Sequence, residues 1–157
     1  LLVAGCWLLV AGCWLLVAGC LLLVACLSIE LNLMSYKNLE IWKLADEVVA
    51  EIHEMTIKLL PKFEMFEEGA QIRKSCKTTK SCIVEGYGRR RYKADFIKFL
   101  IYALSSNDES TDHLETLYKT KSLTNEGVYT IIHSKLAVLG KKINLFIKGV
   151  DNADWHL

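Results

Sequence analysis

Proline is nearly absent: Pro61 is the single one in 157 residues, so little else in the chain forces a helix to break. No run alternates apolar and polar residues with the period of two that marks a half-buried strand, which argues against a sheet. Metal-ligand patterns are missing as well. No CxxC pair occurs, and His53, His113, His133 and His156 include no HxxxH spacing. The Glu-x-x-His pattern of di-metal bundles fails too, because Glu51 stands too close to His53 and Ser110 occupies the position needed before His113. Gly86-Tyr87-Gly88 lacks the third glycine of GxGxxG, the GK[ST] of a P-loop and any preceding strand. Ser and Thr are plentiful, yet no context marks a nucleophile. The chain therefore reads as a non-enzyme with no catalytic residue, no metal and no cofactor.

Charge is missing from one end. Residues 1–29, LLVAGCWLLVAGCWLLVAGCLLLVACLSI, contain no Asp, Glu, Lys or Arg, and LLVAGCW recurs there as a seven-residue repeat. Such a run exceeds the ~20 apolar residues a membrane helix needs. With all flanking positive charge after it, the positive-inside rule would leave the remainder facing the cytoplasm. A secretory signal fits less well, since no basic stretch precedes the run. A leucine zipper fits least, because no polar flank keeps the repeat soluble. The remaining reading is an addition at 1–33: MSYKNLEIWKLADEVV, from Met34, resembles a natural start, and a tandem repeat in the coding sequence gives this pattern when a reading frame extends upstream. Both readings stay open: a bundle tethered to a membrane through residues 1–29, or a cytoplasmic one without them. Four of the six cysteines belong to the repeat; Cys76 and Cys82 fall on different faces of one helix and read as idle thiols in a reducing compartment.

What is abundant is helical periodicity. Asn38 is a candidate N-cap for a helix over 39–60, with Leu39, Trp42, Ala45, Val49, Ile52, Met55 and Leu59 facing in, and Pro61 ends it. A second helix is expected over 70–85 with Ile72, Cys76, Thr79 and Ile83 inside, closed by Gly86 and Gly88 through a left-handed C-cap. A third, opened by Asp95, runs to about Thr120 with Phe96, Phe99, Leu100, Ala103, Leu104, Leu114 and Leu117 inside; its SSNDESTDH centre is unusually polar. Thr124 or Asn125 starts a fourth, to about Gly149, with Val128, Ile131, Ile132, Leu136, Leu139, Ile143, Phe146 and Ile147 inside. The fold class is all-α, an antiparallel up-down four-helix bundle over 34–150, with 151–157 as a tail.

The polar residues are unevenly placed. Residues 71–100 hold nine Lys or Arg against two acids, while 34–70 hold four Lys against eight acids, in a chain of net charge +1. Such a dipole steers an anionic partner to one face. Arg73, Lys77 and Lys80 recur at helical spacing with Lys74 beside them; Arg89, Arg90, Arg91 and Lys93 form a basic connector, and Lys98 follows. Guanidinium forks suit phosphate oxygens, and Tyr87 or Tyr92 can stack on an unpaired base, so these eleven residues are the candidate site for RNA or DNA. The competing reading is a solvated face whose cations pair with the acidic first helix or dock a protein partner.

YKNLEIWKLADEVV, QIRKSC…IVEGYGRR, KADFIKFLIYAL and LGKKINLFIKGV together resemble the four-helix-bundle family of large-subunit ribosomal RNA intervening-sequence proteins, related to the accessory variability proteins of diversity-generating retroelements. The resemblance covers about 34–150 and omits the apolar repeat. It implies a bundle that assembles into a ring-like homopentamer, a basic surface suited to nucleic acid, and no known enzyme activity. The chain departs from that pattern at Cys76–Cys82, where members carry a small apolar, Ile-Pro-Ser-Asn-like run, and at the polar stretch Ser105–Asp112.

Overall fold

The computed structural model describes residues 35–154; the expectations for residues 1–33 lie outside them. Tyr36–Asn38 form one turn of 3-10 helix. Four α-helices follow: α1 (Glu40–Lys58), α2 (Glu68–Gly88), α3 (Lys93–Lys119) and α4 (Glu126–Asn152). Among the described residues there is no strand.

Pairings along the helices give their directions. Glu40 meets Lys142 and Glu51 meets Lys135, so α1 and α4 run antiparallel. Ser75 meets Ser110 while Gly86 meets Phe99, which reverses α2 against α3. Lys93 reaches Asp151 while Tyr118 stacks on Tyr129, which reverses α3 against α4. Asp46 pairs with Lys80 across α1 and α2, closing the four-helix bundle expected from the periodicity.

The core has two apolar ends and a polar waist. At one end Val48, Ile52, Ile72, Leu114 and Leu136 pack together; at the other Ala45, Ile83, Phe96, Leu100 and Ile143 do. Between them lie Ser75, Thr79, Asn107 and Ser110, all buried. The Ser75 and Ser110 hydroxyls share a hydrogen bond at 2.8 Å, and Asn107 Nδ2 donates to the Leu136 carbonyl at 3.1 Å. The polar SSNDESTDH stretch is thus uninterrupted helix, and its Asn and Ser are the waist itself. Small hydroxyl residues let backbones approach: the Ser75–Ser110 and Asn107 bonds cross between helices, Thr79 Oγ1 donates to the Ser75 carbonyl of its own helix at 3.1 Å, and Asn107 Oδ1 has no partner.

Several local expectations shift. α1 starts one residue late, and its N-cap is Leu39, which makes no side-chain cap bond, not Asn38. Its buried face is Ile41, Ala45, Val48, Ile52 and Met55; Trp42 and Val49 sit half-buried at the flank, and Leu59 is exposed beyond the helix end. The two series share Ala45, Ile52 and Met55, and a wide apolar stripe does not by itself fix its centre. Ile131 likewise lies outside, not in the core. The larger correction is at α2, which runs through Gly86 to Gly88 with no left-handed glycine among the described residues. A Cβ on Gly86 would stand 3.0 Å from Phe99 Cβ and 3.2 Å from Phe96 Cδ2, so this glycine serves the close approach of α2 and α3, not a helix stop.

The loops carry their own fastening. α1 ends where Pro61 lies ahead, and Lys62–Met65 make a 3-10 turn whose Glu64, buried, accepts the Ser122 hydroxyl at 2.7 Å. After α3, Lys121 takes the left-handed conformation (φ 62°), and Leu123 N–H bonds back to the Leu117 carbonyl at 2.9 Å. Asn125 caps α4 as expected: its Oδ1 accepts from Val128 N–H at 3.1 Å.

Candidate nucleic-acid interface

The predicted basic residues divide into three groups. On α2 the expected row of Arg73, Lys77 and Lys80 is largely used within the bundle. Arg73 Nη2 donates to the Met65 carbonyl at 2.6 Å, and Lys80 pairs with Asp46 of α1 at 2.8 Å. Lys74 and Lys77 remain on the outer face, exposed and without a salt bridge among the described residues. The row's inward edge lies along the α1–α2 seam, which is why the acidic first helix claims one of its cations.

At the α2–α3 corner the geometry is different. Arg89 pairs with Glu85 at 3.1 Å, and its guanidinium carbon lies 4.8 Å above the Phe99 ring. Arg90 lies 4.2 Å above the Tyr87 ring and donates to the Tyr87 carbonyl at 2.9 Å. Lys98 stands 5.9 Å from the Tyr102 ring, and Tyr102 meets Phe99 edge-on at 5.9 Å. Arg91 is exposed in the connector, and Tyr92, the N-cap position of α3, is 64% exposed. The close approach at Gly86 is what lays Phe99 beneath Arg89. Cation–π contacts of this kind orient a guanidinium.

Lys93 belongs to neither group. Its ammonium donates to the carbonyls of Asp151 and Ala153 at 2.6 and 3.1 Å, at the C-terminus of α4, where the helix dipole favours a cation. It fastens α3 to α4.

Neither Phe99, expected inside the bundle, nor Tyr102 was among the candidate site residues read from sequence. Their signal was the i, i+3 spacing within DFIKFLIYAL, which reads equally well as core; only the corner's geometry turns Tyr102 outward, 47% exposed. His113 Nδ1 shares a hydrogen bond with Glu68 at 2.6 Å and its Nε2 stands 3.6 Å from Glu109, and among the described residues no group of three ligating side chains could hold a metal ion. Burial pushes the Cys76 thiol up to about 11 and raises that of half-buried Cys82; neither is bonded to another cysteine. Among the described residues no helix is long and apolar enough to cross a membrane.

An antiparallel four-helix bundle with a polar waist and a cation–aromatic corner defines the class of protein. The model of the 23S rRNA-intervening sequence protein family matches residues 37–145, and the chain belongs to that family. A crystal structure of a protein of unknown function from the S23 ribosomal protein family of Bacteroides thetaiotaomicron has the same fold. Its TM-score is 0.63 at 24% identity, covering 69% of this chain and 95% of that one. No curated protein matches the chain.

Proposed function

We propose that the bundle is a non-catalytic accessory or scaffold that binds nucleic acid, RNA or DNA, at the α2–α3 corner and along the outer face of α2. The observation that carries this reading is the set of guanidiniums held against rings at the corner, Arg89 on Phe99 and Arg90 on Tyr87, beside exposed Arg91, Tyr92 and Tyr102. Phosphates would meet the arginines, Lys98, Lys77 and Lys74, while an unpaired base has Tyr92 and Tyr102 to stack on. Arg73, Lys80 and Lys93 act from behind, holding the elements in place. Binding of labelled structured RNA, single-stranded DNA and duplex DNA across a salt series tests this. Changing Arg89, Arg90 and Arg91 together to Ala is expected to weaken binding and flatten the salt slope by up to about three units. Unchanged affinity in that variant sinks the site.

A second reading, self-association, has an observation of its own. Ile131, Val138 and Leu145 are 54%, 45% and 66% exposed and repeat every seven residues along α4. A row at that spacing runs nearly along the helix axis and suits burial against another helix, as in the homopentamer the family resemblance implies. Sedimentation of the protein and of Val138→Asp tests it: the variant is expected to shift to the monomer, and identical sedimentation refutes the contact.

A further inference from the structure

Arg89, Phe99, Tyr102 and Lys98 form one continuous chain of contacts at the α2–α3 corner. Arg89 lies over Phe99, Phe99 meets Tyr102 edge-on, and the Lys98 ammonium stands 5.9 Å from the centre of the Tyr102 ring. The chain is cationic at both ends, and its outer ring is left open to solvent: Tyr102 is 47% exposed. Tyr92, next to exposed Arg91, is 64% exposed. A single exposed tyrosine is ordinary, but two in one basic corner, each beside a cation, make a surface with both charge and open rings.

Charge alone would favour a duplex, which carries one phosphate per about 1.7 Å of axis against one per about 3.4 Å of a single strand. The corner cannot use that density. Seven residues beyond Tyr102, two turns along the same face of α3, stands Glu109, with Asp108 beside it, and both are exposed. They lie about 9–10 Å of helix rise past Tyr102. A phosphate row continued along α3 therefore runs onto carboxylates, whereas a few unpaired nucleotides fit the short cationic stretch.

The open rings discriminate in the same direction. Every base has a face to lay on a ring, but in a duplex the neighbouring base pairs already cover it. Lys98 over Tyr102 is no obstacle. It is an exposed, flexible cation, and a stacked base is worth more than an exposed cation–π contact, so the ammonium is free to move to the adjoining phosphate.

We propose that the corner binds single-stranded nucleic acid in preference to duplex, with Tyr102 as the residue that makes the choice. An unpaired base stacks on its ring, the phosphate beside that base takes Lys98, and Tyr92 and Arg91 serve the strand further on. The proposal rests on the nucleic-acid reading of the corner and adds to it the strand state of the ligand.

Fluorescence anisotropy of the full chain with labelled oligouridine, oligodeoxythymidine, and RNA and DNA duplexes of matched length, across a salt series, tests this. Each single strand is expected to bind at least about 10-fold more tightly than the duplex of its own chemistry. Tyr102→Leu is expected to bind single strands about 10-fold more weakly, with duplex affinity, thermal melt and salt slope unchanged, since no charge is removed. Tyr102→Phe keeps the ring and should restore single-strand binding. Duplex bound as tightly as single strand, unchanged single-strand affinity in Tyr102→Leu, or an equal loss for both ligands in that variant would each overturn the proposal. The last would show that Tyr102 merely positions the arginines. If single-strand affinity is unchanged in Tyr102→Leu but falls when Arg89, Arg90 and Arg91 are changed to Ala, the strand preference fails alone; unchanged affinity in the triple variant sinks the corner with it.

Discussion

Replacing Gly86 by alanine sets two effects of known size against each other. Alanine in a helix interior is favoured over glycine by about 1 kcal/mol, largely because the unfolded chain has less freedom to lose. At Gly86, however, the new methyl would stand 3.0 Å from Phe99 Cβ, an atom bonded to the α3 backbone, and 3.2 Å from the Phe96 ring. Neither neighbour is the loose end of a flexible side chain, so α3 itself must give by a few tenths of an ångström. Overpacking of this kind costs about 1–3 kcal/mol, and the net expectation is a loss of roughly 1 kcal/mol. Gly149, inside α4, has nothing within 4 Å of the same position and is the control. There alanine is expected to stabilise by up to about 1 kcal/mol, leaving the two variants roughly 2 kcal/mol apart. Urea unfolding followed by far-ultraviolet circular dichroism reads both midpoints, with an unchanged slope showing that the comparison is sound. If Gly86→Ala gains as much stability as Gly149→Ala, α2 and α3 do not approach as described, and the account of the corner resting on them falls too.

Three further outcomes are expected. The Cys76 thiol has its pKa raised from 9.0 to about 11, so the folded state holds that proton more tightly than the unfolded one. Its contribution is present below pH 9 and lost as pH rises toward 11, roughly 2–3 kcal/mol over that window, and Cys76→Ala should flatten the fall in stability measured there. Asn125→Ala removes the cap on α4 and should cost about 1 kcal/mol in the same urea assay, with no change in nucleic-acid affinity. Lys93→Met should lower stability while leaving the salt slope of nucleic-acid binding nearly unchanged; a drop of a full unit would return Lys93 to the interface.

Much of this fold was legible because helical periodicity is a local property. Ile72, Cys76, Thr79 and Ile83 all face inward as their spacing predicts, and Asn125 declares its cap through its own side chain. What the spacing could not convey is how far away the neighbouring helix lies. Gly86 reads as a helix stop from sequence because glycine usually is one; its actual role depends on Phe99, thirteen positions on, lying against it. Ser75, Asn107 and Ser110 look like surface residues until the helix opposite supplies their partners. The basic block shows the same limit. Charge counting finds Arg73, Lys80 and Lys93 as readily as Arg91, and only contacts to the Met65 carbonyl, Asp46 and the end of α4 separate fastening from availability.

The polar waist also bears on handedness. Four antiparallel helices can be wound clockwise or counter-clockwise, and apolar stripes are buried about equally well by either winding. Ser75 and Ser110 lie to one side of their stripes, toward each other, and Asn107 lies to the side of α4. In the mirror winding Ser75 would turn toward α1 and Asn107 toward α2, each losing its partner on the neighbouring helix, although Ser75 would keep its bond to the Ile72 carbonyl, while Lys80 would turn away from Asp46. A few hydroxyls and one amide thus select between two bundles that hydrophobic burial hardly distinguishes. They thereby also determine which helix edges meet at the corner where the arginines stand.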